Sequence, residues 1–443
     1  MSNNKKILFV YTGPANQYDE DFSINQTIYH RLISRTLKFP RPLTFPILAA
    51  ITPKNYEISL VEGGVNDVDF NKKYDLVGIS CTTRFANSAY KIADEFQRRN
   101  IKVVLGGYHP SALPDEAKEH ADSVAIGEAE ETWPLVLRDS EKNKLKPFYL
   151  PNRPVDPSII KCPRYDIYPS GTEFGVLATR GCPYGCKFCA ISNMELRKKF
   201  RTRPVEDVVE EIKQLPGKMF SFQDNSFTID VNYSKKLFKA MRGINKKFIA
   251  NGNIGTLGKN DELLKLAREA GCVYWYVGFE SVSQESLDNI SKITNRVKDY
   301  FSSVKKIHDM GMAVSGSFVL GFDGDRKDIF EKTKEFVRIS EIDIPDAGVL
   351  TPFPGTPIFD QYEAEGRMLS KNWDDYDFFK VIYKPKHMTP QELFDNTNEI
   401  NMEWLTTNNN IRRIFRSLKF GITASIETLL QLYYLKFTRA KRA

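Results

Sequence analysis

The sequence predicts an α/β chain: a doubly wound parallel sheet, then a partial (β/α)6 barrel, then a mainly helical C-terminal region. Three observations predict it. Short, nearly all-apolar runs alternate with amphipathic stretches twice along the chain, with a proline-rich interval between the two series. The runs end in Gly, Ser or Thr, residues suited to loops at the carboxyl ends of parallel strands. The 443 residues are 41% hydrophobic and 27% charged, the composition of a globular chain long enough for two or three domains.

In chain order, KKILFVYT (5–12), YEISLVEG (56–63), YDLVGISC (74–81) and IKVVLGG (101–107) read as strands. Helices are expected near 43–51 and over 87–99. These elements assign residues 1–141 to the first domain and 142–170 to a linker. The second series has strands at 174–179, 219–224, 248–254, 273–279, 313–322 and 347–352. Its helices are expected at 206–215, 261–270 and 325–339, the last with Ile329, Phe330, Thr333, Phe336 and Val337 on one face. Six βα units place a partial barrel over 171–355, with its site at the carboxyl ends of the strands by analogy with complete barrels. Residues 356–443 form the C-terminal region.

Charge and cysteine usage exclude several classes. Six cysteines in a chain this long are too few for a secreted disulfide framework. The apolar run Ile7–Tyr11 is too short for a signal-peptide core, and no apolar run is long enough to span a bilayer, so a cytoplasmic protein is expected. The net charge of +7 lies entirely in 411–443, where eight Lys/Arg face the single acid Glu427, and residues 1–410 are neutral. No nucleic-acid partner is expected from a neutral body. The tail brackets an apolar stretch with two basic clusters, and Tyr433, Tyr434 and Phe437 beside the second suit an interfacial helix on an anionic leaflet. A helix docked on the barrel is the competing reading, so peripheral contact with the inner face of the membrane stays open at this point.

Chemistry is carried by RGCPYGCKFCAIS, in which Cys182, Cys186 and Cys189 follow the first strand of the second series at C-x3-C-x2-C spacing. Iron–sulfur clusters are held by Cys thiolates, and three in one loop satisfy three irons of a cubane and leave the fourth open. An open coordination position signals catalysis. Gly181 and Gly185 let the backbone wrap closely round such a group. A structural zinc site is the alternative, but it favours two paired elements and no second pair exists. Cys81, Cys162 and Cys272 are scattered singly and read as buried small apolar residues.

These residues resemble the signature of the radical S-adenosylmethionine (SAM) enzymes, whose CxxxCxxC loop follows the first strand of a partial, TIM-type barrel. GFESVSQESLDNISK (278–292) is similar to the GxESGSQ segment of that family's fourth strand. SGSFVLGFDGD (315–325) resembles its fifth strand and FSFQDNSF (220–227) its second. VVLGGYHPSALPDEA and the following ADSVAIGEAEETW (103–133) look like the end of a Rossmann-like, B12-binding-type domain of the class B branch. The segments after Leu350 are similar to the tails of members acting on hopanoid and other isoprenoid lipids.

The resemblance implies a [4Fe-4S] cluster held by Cys182, Cys186 and Cys189. It implies SAM bound at the open iron and cleaved by one-electron reduction, giving a 5′-deoxyadenosyl radical that activates a C–H bond. SAM contacts carried over by position are Phe188, Asp224, Asn225, Glu280 and Ser281. The alternatives are packing for Phe188, a turn or cap for Asp224 and Asn225, and a barrel-mouth ion pair for Glu280. Asn251 and Asn253 occupy a strand where many relatives have Arg or Asp. For cobalamin the candidates are Gly106, Gly107, His109, Gly127 and Glu128. The loop after the first strand, YTGPANQYDEDFS, has no His of the kind that supplies a lower ligand in many corrinoid proteins.

The function implied is cobalamin-dependent methylation, or another C–H modification, of a small molecule or membrane-associated lipid. An external one-electron donor of the flavodoxin or ferredoxin type is implied with it. Two alternatives stay open: a corrinoid-independent radical cyclisation or rearrangement, and a non-catalytic corrinoid- or zinc-binding protein.

Overall fold

The structure, a computed structural model, describes residues 5–13, 41–168 and 174–440, apart from the side chains at 434 and 437–440. Expectations that fall on the loop beyond residue 13, on Tyr434 and Phe437, and on Lys441 and Arg442 lie outside the described residues.

The first series folds as β1 (Lys5–Thr12), α1 (Thr44–Ile51), β2 (Tyr56–Gly63), β3 (Leu76–Cys81), α2 (Ala86–Arg98), β4 (Val103–Gly107), β5 (Ser123–Ala125), α3 (Trp133–Glu141) and β6 (Phe148–Tyr149). All pairings in its sheet are parallel, in the order β2-β1-β3-β4-β5-β6. β3 is buried along its whole length, which is why it reads as an unbroken apolar run. The strand order reverses between β1 and β3, and such switch points open a crevice at the carboxyl ends. β6 lies within the 142–170 interval that the sequence marks only as a linker; two residues are too short for a period of two to show. Cys162, expected buried, is exposed in that interval, while Cys81 and Cys272 are buried.

The second series adds β7 (Phe174–Val176), a small antiparallel pair β8 (Thr179–Arg180) and β9 (Arg201–Thr202), α4 (Val205–Gln214), β10 (Met219–Phe222), α5 (Val231–Met241), β11 (Lys247–Asn251), α6 (Asp261–Ala270), β12 (Cys272–Glu280), α7 (Tyr300–Asp309), β13 (Ala313–Leu320), α8 (Ile329–Ser340) and β14 (Ile344–Val349). Six parallel strands run β14-β13-β12-β11-β10-β7 with helices between them, a partial barrel with two edges. The helix expected over 325–339 begins only at Ile329, because Asp325 is buried in the preceding turn, accepting bonds from Gly321 N and Phe322 N. The last strand begins at Ile344 rather than 347, its start masked by Pro345 and Asp346.

Outward faces of the barrel strands are apolar and packed: Trp275, Val277, Phe279, Val314, Phe318 and Leu320 join one core with the surrounding helices. Three helices follow the barrel's last strand at a distance: α9 (Pro390–Trp404), α10 (Thr407–Ser417) and α11 (Ile422–Ala440). Thr389 and Glu392 form a reciprocal cap that starts α9. Phe420, in the turn between α10 and α11, packs with Val273, Tyr274 and Ala313 at the starting ends of β12 and β13. The tail therefore closes the base of the barrel, opposite the carboxyl ends.

Asp343 anchors it there. Its carboxylate is fully buried, accepts from Val314 N at 2.9 Å, and faces His308 Nε2 at 2.9 Å and Arg416 Nη2 at 3.0 Å. Burial disfavours the charged form, but His308 and Arg416 outweigh it and hold the carboxyl below its usual range. Asp343→Ala leaves Arg416, in a nearly closed site, with only the longer Glu341 contact at 3.5 Å. The expected cost is about 3–5 kcal/mol in urea unfolding, with earlier proteolytic release of the α10–α11 segment. An unchanged midpoint and unchanged digestion would show that the tail is held otherwise.

Candidate active site

The cysteine loop leaves the barrel just after β8 and is fastened on every side by backbone bonds. Cys182 N donates to Arg197 O at 2.9 Å, Lys187 N to Ile290 O at 3.0 Å, and Ile358 N to Lys187 O at 3.2 Å. Asn193 Nδ2 reaches the carbonyls of Cys186 and Cys189, both at 2.8 Å. Gly181 takes φ +85° where a Cβ would run into the Lys199 carbonyl, so only glycine fits. Gly185 takes φ +63° with open space on its Cβ side. Burial pushes the Cys186 thiol up to about 12 and the Cys182 thiol up as well. Lys292 works against this at both sulfurs.

Lys292 is held at the mouth by Glu280, Nζ to Oε1 2.7 Å, with both side chains nearly closed off. Glu280 stands in the left-handed region at φ +63°, beside a register shift between β12 and β13. A bulge of this kind re-aims a side chain at the end of a strand. Gly278 makes the room, since a Cβ there would strike the Glu280 carboxylate.

The other candidates divide into those that face the mouth and those that brace it. Asp224 is fully buried and spends its carboxylate on Thr179 N, Thr179 Oγ1 (2.6 Å) and Ala178 N (3.3 Å). Burial raises its pKa to about 6, against those hydrogen bonds. It stitches the second strand to the end of the first. Ser281 is likewise buried, accepting from Ser283 N at 3.1 Å beside Asp325. Phe188 packs edge-on to Phe322 at 5.7 Å, at the rim of the barrel core. Asn225 faces the cleft between the two sheets. Asn251 donates to Asp224 O and Asn253 to Ser226 Oγ.

Inside the barrel the strands present polar residues. Tyr276 is 42% exposed although Trp275 and Val277 beside it are fully buried, so its ring stands on the open inner face. Ser221, Asn251, Ser317 and Asp346 have the same parity on their own strands, and Ser221 Oγ is buried without a hydrogen-bond partner. An interior of this kind departs from the branched apolar filling of a closed barrel. Period-two alternation in 274–278 and 315–319 carries this signal, and reading the strands as apolar runs missed it.

Across the mouth lies the crevice of the first sheet, walled by Tyr11, Ser80, Gly106, Gly107, Gly127 and Glu128, and on the barrel side by Arg180, Gly181 and Arg197. Gly107, at φ +103°, lies where a Cβ would sit 2.5 Å from Cys81 O. His109 is not part of this wall. The short helix starting at Tyr108 turns its ring inward, fully buried, with Nε2 3.2 Å from Glu116 and Trp373 edge-on at 4.9 Å. Position after the Gly-Gly turn could not show this; the inward packing against Trp373 depends on a segment far away in the chain.

Glu128 lines the crevice but is already paired. It holds Arg201 through two bonds (2.6 and 2.9 Å) and meets Arg180 at 3.5 Å, while Glu130 takes the other end of Arg180. Arg197 lies over the Tyr108 ring at 4.5 Å, with a buried Nε that has no partner. Sequence reasoning singled out none of Arg180, Arg197, Arg201 and Lys292. The signal for Arg180 was available, because it abuts the glycine that opens the cysteine motif.

Comparison with known proteins places this geometry. Residues 176–337 match the Radical SAM superfamily and residues 45–137 match the B12 binding domain. The chain is 30% identical over 378 residues to bacteriochlorophyllide d C-12(1)-methyltransferase of Chlorobaculum tepidum, covering 82% of each protein. It is 22% identical to the hopanoid C-2 methylase of Rhodopseudomonas palustris over 83% of this chain and 71% of that one. Its fold is similar to that of the radical S-adenosylmethionine methyltransferase TsrM from Kitasatospora setae, solved with tryptophan and a SAM analogue (TM-score 0.71, 14% identity, 99% of this chain and 100% of that one).

Burial raises the Glu128 carboxyl, yet Arg201 and Arg180 outweigh it and hold the group below its usual range. Its contribution is therefore complete above the ordinary carboxylate pKa of about 4.3 and is lost as pH falls through the depressed value. Glu128→Ala leaves Arg201 without a carboxylate in a nearly closed site, while Arg180 keeps Glu130. A loss of about 3–5 kcal/mol in denaturant unfolding is expected. It should come with an increase in radius of gyration by small-angle scattering, and a variant as stable and compact as wild type would contradict the assignment.

Proposed function

The chain belongs to the radical SAM superfamily and carries a B12-binding domain ahead of its barrel, and from that premise we propose that it is a cobalamin-dependent radical SAM methyltransferase. The observation that carries the reading is the C-x3-C-x2-C loop, strapped at the barrel mouth, with Gly181 just ahead of it lining the crevice at the switch point of the first sheet. On this reading 1–141 is the cobalamin domain, 142–170 a linker that lends it a sixth strand, 171–355 the radical SAM barrel and 356–443 the C-terminal region.

The residues fit the groups implied. Three thiols in one loop with no second Cys pair suit a multi-iron group with an open position better than a four-ligand zinc site. The open space before Gly185 leaves room for it. Iron ligation would deprotonate thiols that burial otherwise keeps neutral. The crevice meets the rule for cofactor sites in open parallel sheets, at the carboxyl ends and the switch point. Once bound, the [4Fe-4S] cluster with SAM supplies a hydrogen-abstracting 5′-deoxyadenosyl radical, and cobalamin supplies the methyl group.

The chain's own residues do the holding. Cys182, Cys186 and Cys189 would ligate iron, and the Lys292 ammonium offsets the negative charge of three thiolates at close quarters. Glu280, Asn225 and Phe188 would meet SAM, while Asp224 and Ser281 fix the strand ends that present them. Gly106, Gly107, Gly127 and Glu128 border the cobalamin crevice, and the buried His109 is not offered to cobalt. The Glu128–Arg180–Arg201 contacts tie the two sheet ends together beside the space between them.

The acceptor is a small molecule that reaches the barrel interior, and Tyr276, Ser317 and Asp346 there suit one bearing polar groups. The finer reading is a membrane-associated lipid, supported by the hopanoid C-2 methylase relative; the interior narrows it to an amphiphile. An external one-electron donor of the flavodoxin or ferredoxin type completes the set.

The test is anaerobic purification, reconstitution with iron, sulfide and hydroxocobalamin, then reduction with dithionite in the presence of SAM. Wild type is expected to retain about four iron and four sulfide per chain with cobalamin, and to form 5′-deoxyadenosine. Cys186→Ala should lose iron, sulfide and nucleoside while keeping cobalamin. Gly107→Val, whose side chain collides with Cys81 O, should lose cobalamin and keep the cluster. Zinc without labile sulfide in the wild type would overturn the proposal.

A further inference from the structure

Six of the seventeen described exposed large hydrophobic residues lie within nineteen residues of the C-terminal helices. Ile411, Phe415 and Leu418 on α10 and the turn after it, then Ile422, Ile426 and Leu429 on α11, are all exposed, Phe415 by 68% and Ile422 by 73%. Steps of three and four residues put each set on one helix face. Gly421, at φ +108°, turns the chain between them. The opposite faces are anchored: Phe420 and Ala424 pack against the barrel base, Arg416 binds Asp343, and Arg413 binds Trp404 O. Among the described residues nothing packs over the exposed face.

Around this ridge two exposed cations face one partly exposed acid, Glu341. Arg412, with 74% of its side chain exposed, and the exposed Lys419 flank it. Glu341 lies 3.7 Å from Arg412, on the barrel side. Glu427 is the tail's single acid and points away from open water. The tail carries the whole net charge of the chain, so a partner would meet apolar side chains rimmed by cations. A single exposed apolar residue needs no explanation, but six at helical spacing on two consecutive helices do.

We propose that the α10–α11 ridge is a docking face for an anionic lipid surface, with Phe415, Ile422 and Ile426 entering the headgroup–acyl boundary and Arg412 and Lys419 meeting lipid phosphates. The chemistry is that of an interfacial helix pair, an apolar face bordered by Lys and Arg. No helix among the described residues is long and apolar enough to cross a membrane, so the contact is peripheral. The ridge is at the base of the barrel and the cysteine loop at its mouth. A docked molecule thus turns its active site away from the bilayer, and an amphiphilic acceptor must leave the membrane to reach it. The proposal stands apart from the chemistry assigned above and does not depend on either cofactor.

The full-length chain would be floated with phosphatidylcholine vesicles and with vesicles of phosphatidylcholine and phosphatidylglycerol at three to one, at low and high salt. Binding to the anionic vesicles at least ten-fold above the neutral ones, falling with salt, is expected. Phe415→Ser with Ile422→Ser, and separately Arg412→Glu with Lys419→Glu, should each reduce it ten-fold or more while circular dichroism stays unchanged. Each removed cation is worth about five-fold at such a surface. Failure of the wild type to float with either vesicle overturns the proposal, as does equal binding to both. A dimer by light scattering that Phe415→Ser converts to a monomer would also overturn it, because the ridge would then join two copies of the chain.

Discussion

The arrangement depends on one buried charge cluster, in which Glu128 and Glu130 of the first sheet grip Arg180 and Arg201 of the barrel. Desolvating four charges is expensive, and their mutual attraction does little more than offset it, so the cluster is better understood as a register device than as a source of stability. Each arginine lies on the small β8–β9 pair, and each glutamate follows the short β5 strand. The contacts can form only when the carboxyl ends of both sheets face one another. That opposition gives the protein a shared space between two mouths, bordered by the cysteine loop on one side and the glycine turns of β4 and β5 on the other.

A second constraint acts on the loop itself. On the proposed reading three thiols present to one group from a loop, and the loop is fastened by backbone bonds from three separate elements. Arg197 O, Ile290 O and Ile358 N come from the β8–β9 excursion, the turn after β12 and the segment after β14. The last two both bond Lys187, so the loop is clamped between the turn after β12 and the segment after β14. The left-handed Glu280 belongs to the same design. Its strain is sustained by the bulge, by Gly278 and by the Lys292 ion pair, and it sets a carboxylate and an ammonium beside the sulfurs.

Much of this was legible because parallel strands covered on both faces have to be apolar. β1, β2 and α6 coincide with their sequence limits, and the cysteine motif announced itself by spacing. What escaped was whatever long-range packing decides. β6 has two residues and no pattern of its own. Asp325 and Asp224 resemble site carboxylates in sequence, yet each is consumed by amides at a neighbouring strand end. His109 follows a Gly-Gly turn as a ligand might, but Trp373, brought in from 264 residues away, closes over it. Cys162 was grouped with the buried thiols on residue type alone, and a loop held by prolines exposes it.

The barrel's two ends have opposite characters, and that polarity bears on how such an enzyme can meet its substrate. At the mouth, buried ion pairs and polar inner-face residues surround the cysteine loop, and Tyr276 keeps the interior open to solvent-sized groups. At the base, Phe420 and Ala424 pack against Val273, Tyr274 and Ala313. Above the carboxyl ends lies the gap between the two sheets. The same charge cluster that fixes their register also walls that gap. Opening it even slightly uncovers Arg180 and Arg201 together, so substrate entry is expected elsewhere along the rim, at the free edges of β7 and β14 where the partial barrel does not close.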